Sequence, residues 1–141
     1  MKPISIEAGK ILDKLIAEAG PEGYVKIDTT EGAFMPVVIE KRWDAEAGPV
    51  WSVAHYYEQN GDLMSDPFME FLRDEVSGRY YPTYFEMHGV FARAEESILF
   101  ECGEIKGYRK KMQSDHAAFA SQWMKNIKAQ QREVFKKVKV S

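Results

Sequence analysis

The sequence contains one cysteine, Cys102, in 141 residues. That excludes an intramolecular disulfide and any zinc cage built from cysteines. The thiol is expected to be buried or half-buried, in a reducing compartment. No apolar run approaches the ~18 residues that a membrane span needs, so no membrane contact is expected. The N-terminal stretch MKPISIEAGKILDKL mixes acids and lysines and lacks the apolar core of a secretory signal, which reads as cytoplasmic. Two phosphate-binding loops are missing, GxxxxGK followed by Ser or Thr and GxGxxG, as is a GxSxG nucleophile elbow. No cofactor is therefore expected. The three histidines, His55, His88 and His116, stand far apart and form no HExxH pair; a zinc site would have to be assembled wholly by the fold. No internal repeat and no low-complexity segment is evident.

What is present is ordinary for a folded domain: 45% hydrophobic and 29% charged residues. By length the chain reads as a single domain over residues 1–141. The net charge of −3 conceals an asymmetry. Residues 105–141 hold ten lysines and arginines against Asp115 and Glu133, a net of +8, which leaves −11 on the other 104 residues. A basic end on an acidic body points to nucleic acid, to an acidic protein face, or to the body itself as what that end contacts.

Residues 5–19 predict an amphipathic helix. Ser5 suits the N-cap and Glu7 the positive end of the dipole, while Ala8, Ile11, Leu12, Leu15, Ile16 and Ala19 recur at the helical period. Gly20-Pro21 stops it. Alternation predicts strands over 24–30 and 34–43, with Val37, Ile39 and Trp43 on one face, and then over 50–58, which is apolar on both faces and so central. Asn60-Gly61 is the strongest turn signal. An irregular loop carrying Asp62, Ser65 and Asp66 follows, closed by Pro67, before a fourth strand over 68–72. Tyr80–Met87 reads as a strand with an edge or a bend at Pro82, and short strands follow over 90–93 and 97–101, with a helix over 90–101 as the weaker alternative. The basic segment 109–138 reads as one long helix, or as two that join near Ser114-Asp115, with Met112, Phe119, Trp123, Ile127, Val134 and Val138 on its apolar stripe. Helix, strands, helix in that order predict an α+β fold, an antiparallel sheet of about five strands packed against an N-terminal and a long C-terminal helix.

The candidate binding residues lie between positions 55 and 70. Glu58, Asp62, Asp66 and Glu70 recur every four residues across the turn. Loop carboxylates can hold a hard cation, although their order is not that of an EF-hand; the simpler reading has Asp62 and Asp66 capping turn amides and Glu58 and Glu70 on a solvated face. His55 could serve as a general base oriented by Glu58 or Asp62, or simply be a hydrogen-bonded core residue. Tyr56, Tyr57, Tyr80, Tyr81 and Tyr84 offer stacking surfaces, or cover for a small sheet. Lys125, Lys128, Arg132, Lys136 and Lys137 are the candidates for contact with nucleic acid or an acidic partner.

Two passages, HYYEQNGDLMSDPFMEF over 55–71 and FASQWMKNIKAQ over 119–130, resemble an uncharacterised family of short bacterial proteins of plasmids, prophages and integrative elements, a domain of unknown function. The resemblance implies a mobile-element context and carries over no catalytic residue. With it, the leading expectation is a non-enzymatic accessory protein acting on a protein partner, for instance by inhibiting a host defence system with an acidic body that imitates nucleic acid. The alternatives are a nucleic-acid-binding module that uses the basic helix, and a metal-dependent hydrolase at Asp62 and Asp66.

Overall fold

The computed structural model describes residues 1–90 and 92–136. Helix α1 spans Ile6–Ala19, and the Ser5 hydroxyl accepts the Ala8 N–H at 3.1 Å, the cap expected from sequence. A 3₁₀ turn over Gly20–Glu22 leads into β1 (Tyr24–Ile27). Strands β2 (Val37–Ala45), β3 (Gly48–Gln59), β4 (Asp62–Arg73), β5 (Tyr80–Met87) and β6 (Arg93–Glu96) follow. A hairpin of β7 (Ile98–Glu101) and β8 (Glu104–Tyr108) precedes α2 (Lys110–Gln130) and the short α3 (Arg132–Phe135).

Among the described residues, β1 to β6 form one antiparallel sheet in sequence order, and β7–β8 form a second, two-stranded sheet. The α+β class and the two packed helices are as expected; the main sheet has six strands rather than about five. Three differences follow from local geometry. First, Asp62–Pro67 is not a loop: Asn60 and Gly61 turn the chain with positive φ, and β4 begins at Asp62 and pairs immediately with Gln59. Second, β8 was not expected. Its sequence EIKGY offers one apolar side chain and a glycine, too weak a period to read, and it pairs with β7 through a turn at Cys102-Gly103. Cys102 is exposed at that turn, contrary to expectation. Third, the C-terminal helix breaks at Gln131, not near Ser114-Asp115. Lys137 and Val138 lie outside the described residues.

Pro82 lies beyond the part of β5 that β6 pairs with, Tyr84–Met87, and faces Phe71 of β4 beside a register shift between Glu70 and Phe71, the kind of irregular position a strand proline takes.

The two helices lie side by side on one face of the sheet, here called inner. Leu12 and Leu15 from α1, Val53, Met69 and Phe71 from the strands, and Met124 and Ile127 from α2 are among its fully buried residues. Each such side chain stabilises the fold by about 2 kcal/mol. A strap before α1 ties the layers together. The Lys2 N–H donates to Gln113 Oε1 (2.6 Å), and Gln113 Nε2 donates back to the Lys2 carbonyl (2.7 Å). The Ile4 N–H donates to the Tyr80 carbonyl (2.9 Å).

A β-bulge between Lys41 and Trp43 decides what the other, outer face carries. Simple alternation would put Trp43 with Val37 and Ile39 against the helices. The extra residue, Arg42, turns Trp43 to the outer face, where it meets the Phe100 ring edge-on at 4.9 Å. Trp43, Val50, Leu72, Phe100 and Ile105 make a second small core under the β7–β8 hairpin. The hairpin thus covers one end of the outer face.

Candidate functional site

Among the described residues, the remainder of the outer face carries no helix. Its residues come from alternate positions on five strands: Val38 and Glu40 on β2, Ser52, Ala54 and Tyr56 on β3, Phe68 and Glu70 on β4, Tyr84 and Glu86 on β5, and Ala94 and Glu96 on β6. Register makes two rows of them. Glu40 stands opposite Ser52, Ser52 opposite Glu70, Glu70 opposite Tyr84, and Tyr84 opposite Glu96. In the adjacent row Val38, Ala54, Phe68, Glu86 and Ala94 are matched in the same way.

Arg42 reaches into this field from the bulge. Its Nη1 donates to Glu40 Oε1 at 3.2 Å, and its guanidinium lies 5.7 Å from the Phe68 ring centroid. The remaining acids are only partly compensated. Burial pushes the Glu70 carboxyl above its ordinary range; Arg42 opposes the shift, and Glu86 and Glu96 add to it. Burial and the nearby Glu86 carboxylate, which accepts the Tyr84 hydroxyl at 3.2 Å, push Tyr84 up to about 12. Tyr56 is also raised, by burial first. The face therefore holds more negative charge than its own cations neutralise.

Next to the rows, towards the β1 edge, a groove of about 430 Å³ opens between Tyr24, Val38, Tyr56, Tyr57 and Leu63, with Glu40, Glu58 and Lys26 on its margins.

The residues singled out from sequence fall in three places. Glu58 and Glu70 belong to the outer face and its groove. Asp62 is exposed beside the hairpin turn. His55 points the other way. It is buried on the inner face, its Nδ1 donates to the Pro36 carbonyl (3.2 Å), and its ring meets Trp123 edge-on at 5.5 Å. Burial holds its pKa below the ordinary value, with Asp66 partly opposing. His55 and Glu70 therefore lie on opposite sides of the sheet. Among the described residues, no group of three His, Cys, Asp or Glu side chains is placed to hold a metal ion.

The basic residues of the C-terminal helix are partly engaged within the protein. Lys125 Nζ lies 3.6 Å from Glu7 Oε2 on α1, and Lys136 Nζ lies 2.7 Å from Glu133 Oε1. Arg132 Nε donates to the Ala129 carbonyl, and Lys128 is exposed. Lys137 lies outside the described residues. Among the described residues no helix is long and apolar enough to cross a membrane.

Sequence reasoning missed Glu40, Arg42, Glu86 and Glu96. The signal was the period of two in Val38-Glu40 and Tyr84-Glu86, which sets each polar residue on the face away from Val37, Ile39 and Phe85.

Glu70 offers a direct check. Its pKa is raised on folding, so its contribution to stability is fully present below the ordinary value of 4.5 and is lost as pH rises through the folded value. Glu70→Gln is therefore expected to raise the melting temperature at pH 7 by roughly 2 °C. That gain should shrink as the pH falls through the folded value and vanish below about 4.5; a thermal scan series over pH 3–8 measures both.

Fold and surface together define a small α+β protein with two helices on one face of an antiparallel sheet and an open, acidic, tyrosine-bearing surface on the other. The chain belongs to the family described as a domain of unknown function (DUF6908), whose model matches residues 8–132, from α1 to the start of α3. No curated protein and no solved structure matches the chain.

Proposed function

We propose that this protein is a non-enzymatic binding protein whose open outer sheet face is its contact surface for another protein. One observation carries this reading: in a sheet whose inner face packs against two helices, the outer face leaves Tyr56, Phe68 and Tyr84 half-buried among four glutamates that Arg42 alone does not neutralise. Aromatic side chains at the centre of a surface with polar rims are the usual composition of interface anchors. In its finer form the proposal makes the protein a cytoplasmic accessory factor of a mobile genetic element or phage, which contacts a host protein and inhibits a defence function. The resemblance of HYYEQNGDLMSDPFMEF and FASQWMKNIKAQ supports that context. The basic helix supports a nucleic-acid reading less well, because Lys125 and Lys136 already face glutamates.

The test is a comparative pull-down from a bacterial host lysate. Immobilised wild-type protein and a Lys125→Glu/Lys128→Glu variant should recover the same stoichiometric protein. Glu86→Lys/Glu96→Lys should recover about tenfold less of it, and recovery should fall as salt rises. Undiminished recovery by the Glu86→Lys/Glu96→Lys variant, or nucleic acid as the species lost with the helix variant, would overturn the reading.

A further inference from the structure

We infer that the outer face receives a basic polypeptide segment, with one of its lysine or arginine side chains lying in the groove between Tyr24, Tyr56 and Tyr57. The inference rests on the reading of the outer face as a protein-binding surface and names the chemistry of its partner.

Glu40 and Glu58 stand at the groove, and Glu70, Glu86 and Glu96 lie along the adjoining rows. Among the described residues, the lysine and arginine of this surface are Lys26 at the groove margin and Arg42, which is already engaged with Glu40, while His88 Nε2 lies 3.8 Å from Glu86 Oε2. A phosphate backbone would be repelled here, whereas a basic segment would offset the like-charge repulsion among the glutamates.

The groove combines three tyrosine rings with the apolar side chains of Val38 and Leu63, and Leu63 is 63% exposed. A long cationic side chain suits such a site: its aliphatic stem covers apolar surface while its charged head stays near carboxylates. Tyrosine faces add a cation–π attraction.

The face already holds one guanidinium in this manner. Arg42 lies over the Phe68 ring and hydrogen-bonds to Glu40. The groove repeats those components, aromatic ring and carboxylate, with Tyr56 and Glu58; among the described residues its lining includes Lys26 and no arginine.

The experiment measures binding of three fluorescein-labelled probes: a decapeptide that alternates lysine or arginine with apolar residues, the same peptide with glutamate at the basic positions, and a single-stranded oligodeoxynucleotide. Amide shifts of ¹⁵N-labelled protein locate each probe. The basic peptide should bind saturably and shift Tyr24, Val38, Tyr56, Glu58 and Leu63. Glu40→Gln/Glu58→Gln should weaken it about tenfold, while Glu18→Gln/Glu101→Gln, with the same net charge, should weaken it by no more than about twofold. Tyr56→Ser should weaken binding without any change of charge. Equal weakening by the two double variants, shifts centred elsewhere, or preference for the oligonucleotide would overturn the inference. So would concentration-dependent self-association that Glu40→Gln/Glu58→Gln abolishes, which would identify a second copy as the occupant. Should the basic peptide fail while Glu86→Lys/Glu96→Lys still loses the lysate partner, the inference falls and the contact surface stands. Loss of neither would remove both.

Discussion

Gly48→Ala is expected to destabilise the protein by about 3 kcal/mol or more, far beyond an ordinary surface substitution. Gly48 opens β3 opposite Ala45, with a φ of 155°. A methyl group there would overlap the Arg73 carbonyl oxygen and approach the Arg73 carbonyl carbon and Glu75 Cγ at 3.2 Å each. Relief by moving the turn is blocked on both sides: the Glu46 N–H donates to the Gly103 carbonyl (2.9 Å) and the Ala47 carbonyl accepts the Glu75 N–H (3.0 Å). The turn, the end of β4 and the β7–β8 hairpin would have to separate together, opening the small core around Trp43. Two controls calibrate the result. Gly61→Ala meets nothing within 4 Å and should cost only the left-handed backbone conformation, about 1 kcal/mol. Gly107→Ala meets nothing within 4 Å and has no positive φ, so its effect should stay within about 0.5 kcal/mol. Urea midpoints at constant slope give all three values; a Gly48→Ala cost no larger than that of Gly61→Ala would show that the turn accommodates the methyl.

Trp123→Ala should cost about 4 kcal/mol, the usual range for removing a buried tryptophan. Trp123 is 6% exposed and lies between His55 (5.5 Å) and Phe119 (6.1 Å). The loss should have a second signature. Burial is the main cause that holds the His55 pKa below 6.5. A depressed pKa contributes stability that is present above the unfolded value and lost as pH falls through the folded one. The wild-type protein should therefore lose stability as pH drops below about 6.5. Truncating Trp123 admits water to the ring, so His55 should titrate closer to its ordinary value and that part of the acid sensitivity should diminish. Imidazole proton shifts against pH follow the residue directly. An unchanged His55 titration in the variant would mean that Trp123 does not shield the ring.

These two positions also mark what a reader of the sequence could and could not see. Trp123 falls on the expected helical stripe because i, i+3 and i+4 spacing is a local property. Ser5, Asn60 and Gly61 likewise announce themselves, since caps and tight turns depend on one or two residues. The fate of Trp43 could not be read in this way. A bulge is fixed by how two strands register, and one inserted residue moves the side chain to the opposite face. Gln113 and Gln131 look like solvent-facing polar residues on a basic helix, yet both are buried. Gln131 Oε1 accepts the Thr29 hydroxyl (2.6 Å) and the Thr29 N–H (3.1 Å), partners 102 residues away in sequence. The candidate surface was half legible. Glu58, Glu70, Tyr56 and Tyr84 could be named, but their assembly with Glu40, Glu86 and Glu96 exists only once five strands have paired.

The sheet is a meander, each strand bonded to the one made just before it, whereas α2 joins α1 and the Lys2 strap across more than a hundred residues. Hairpin-by-hairpin pairing closes short loops and is fast; the helix closure is long-range and late. As the chain is synthesised, the strands can pair while Val53, Met69 and Phe71 still lack their cover from α2. Until residues 110–130 emerge, the nascent protein presents a greasy sheet on one side and a charged one on the other. Chaperone engagement during translation should accordingly peak before α2 appears and fall once it docks.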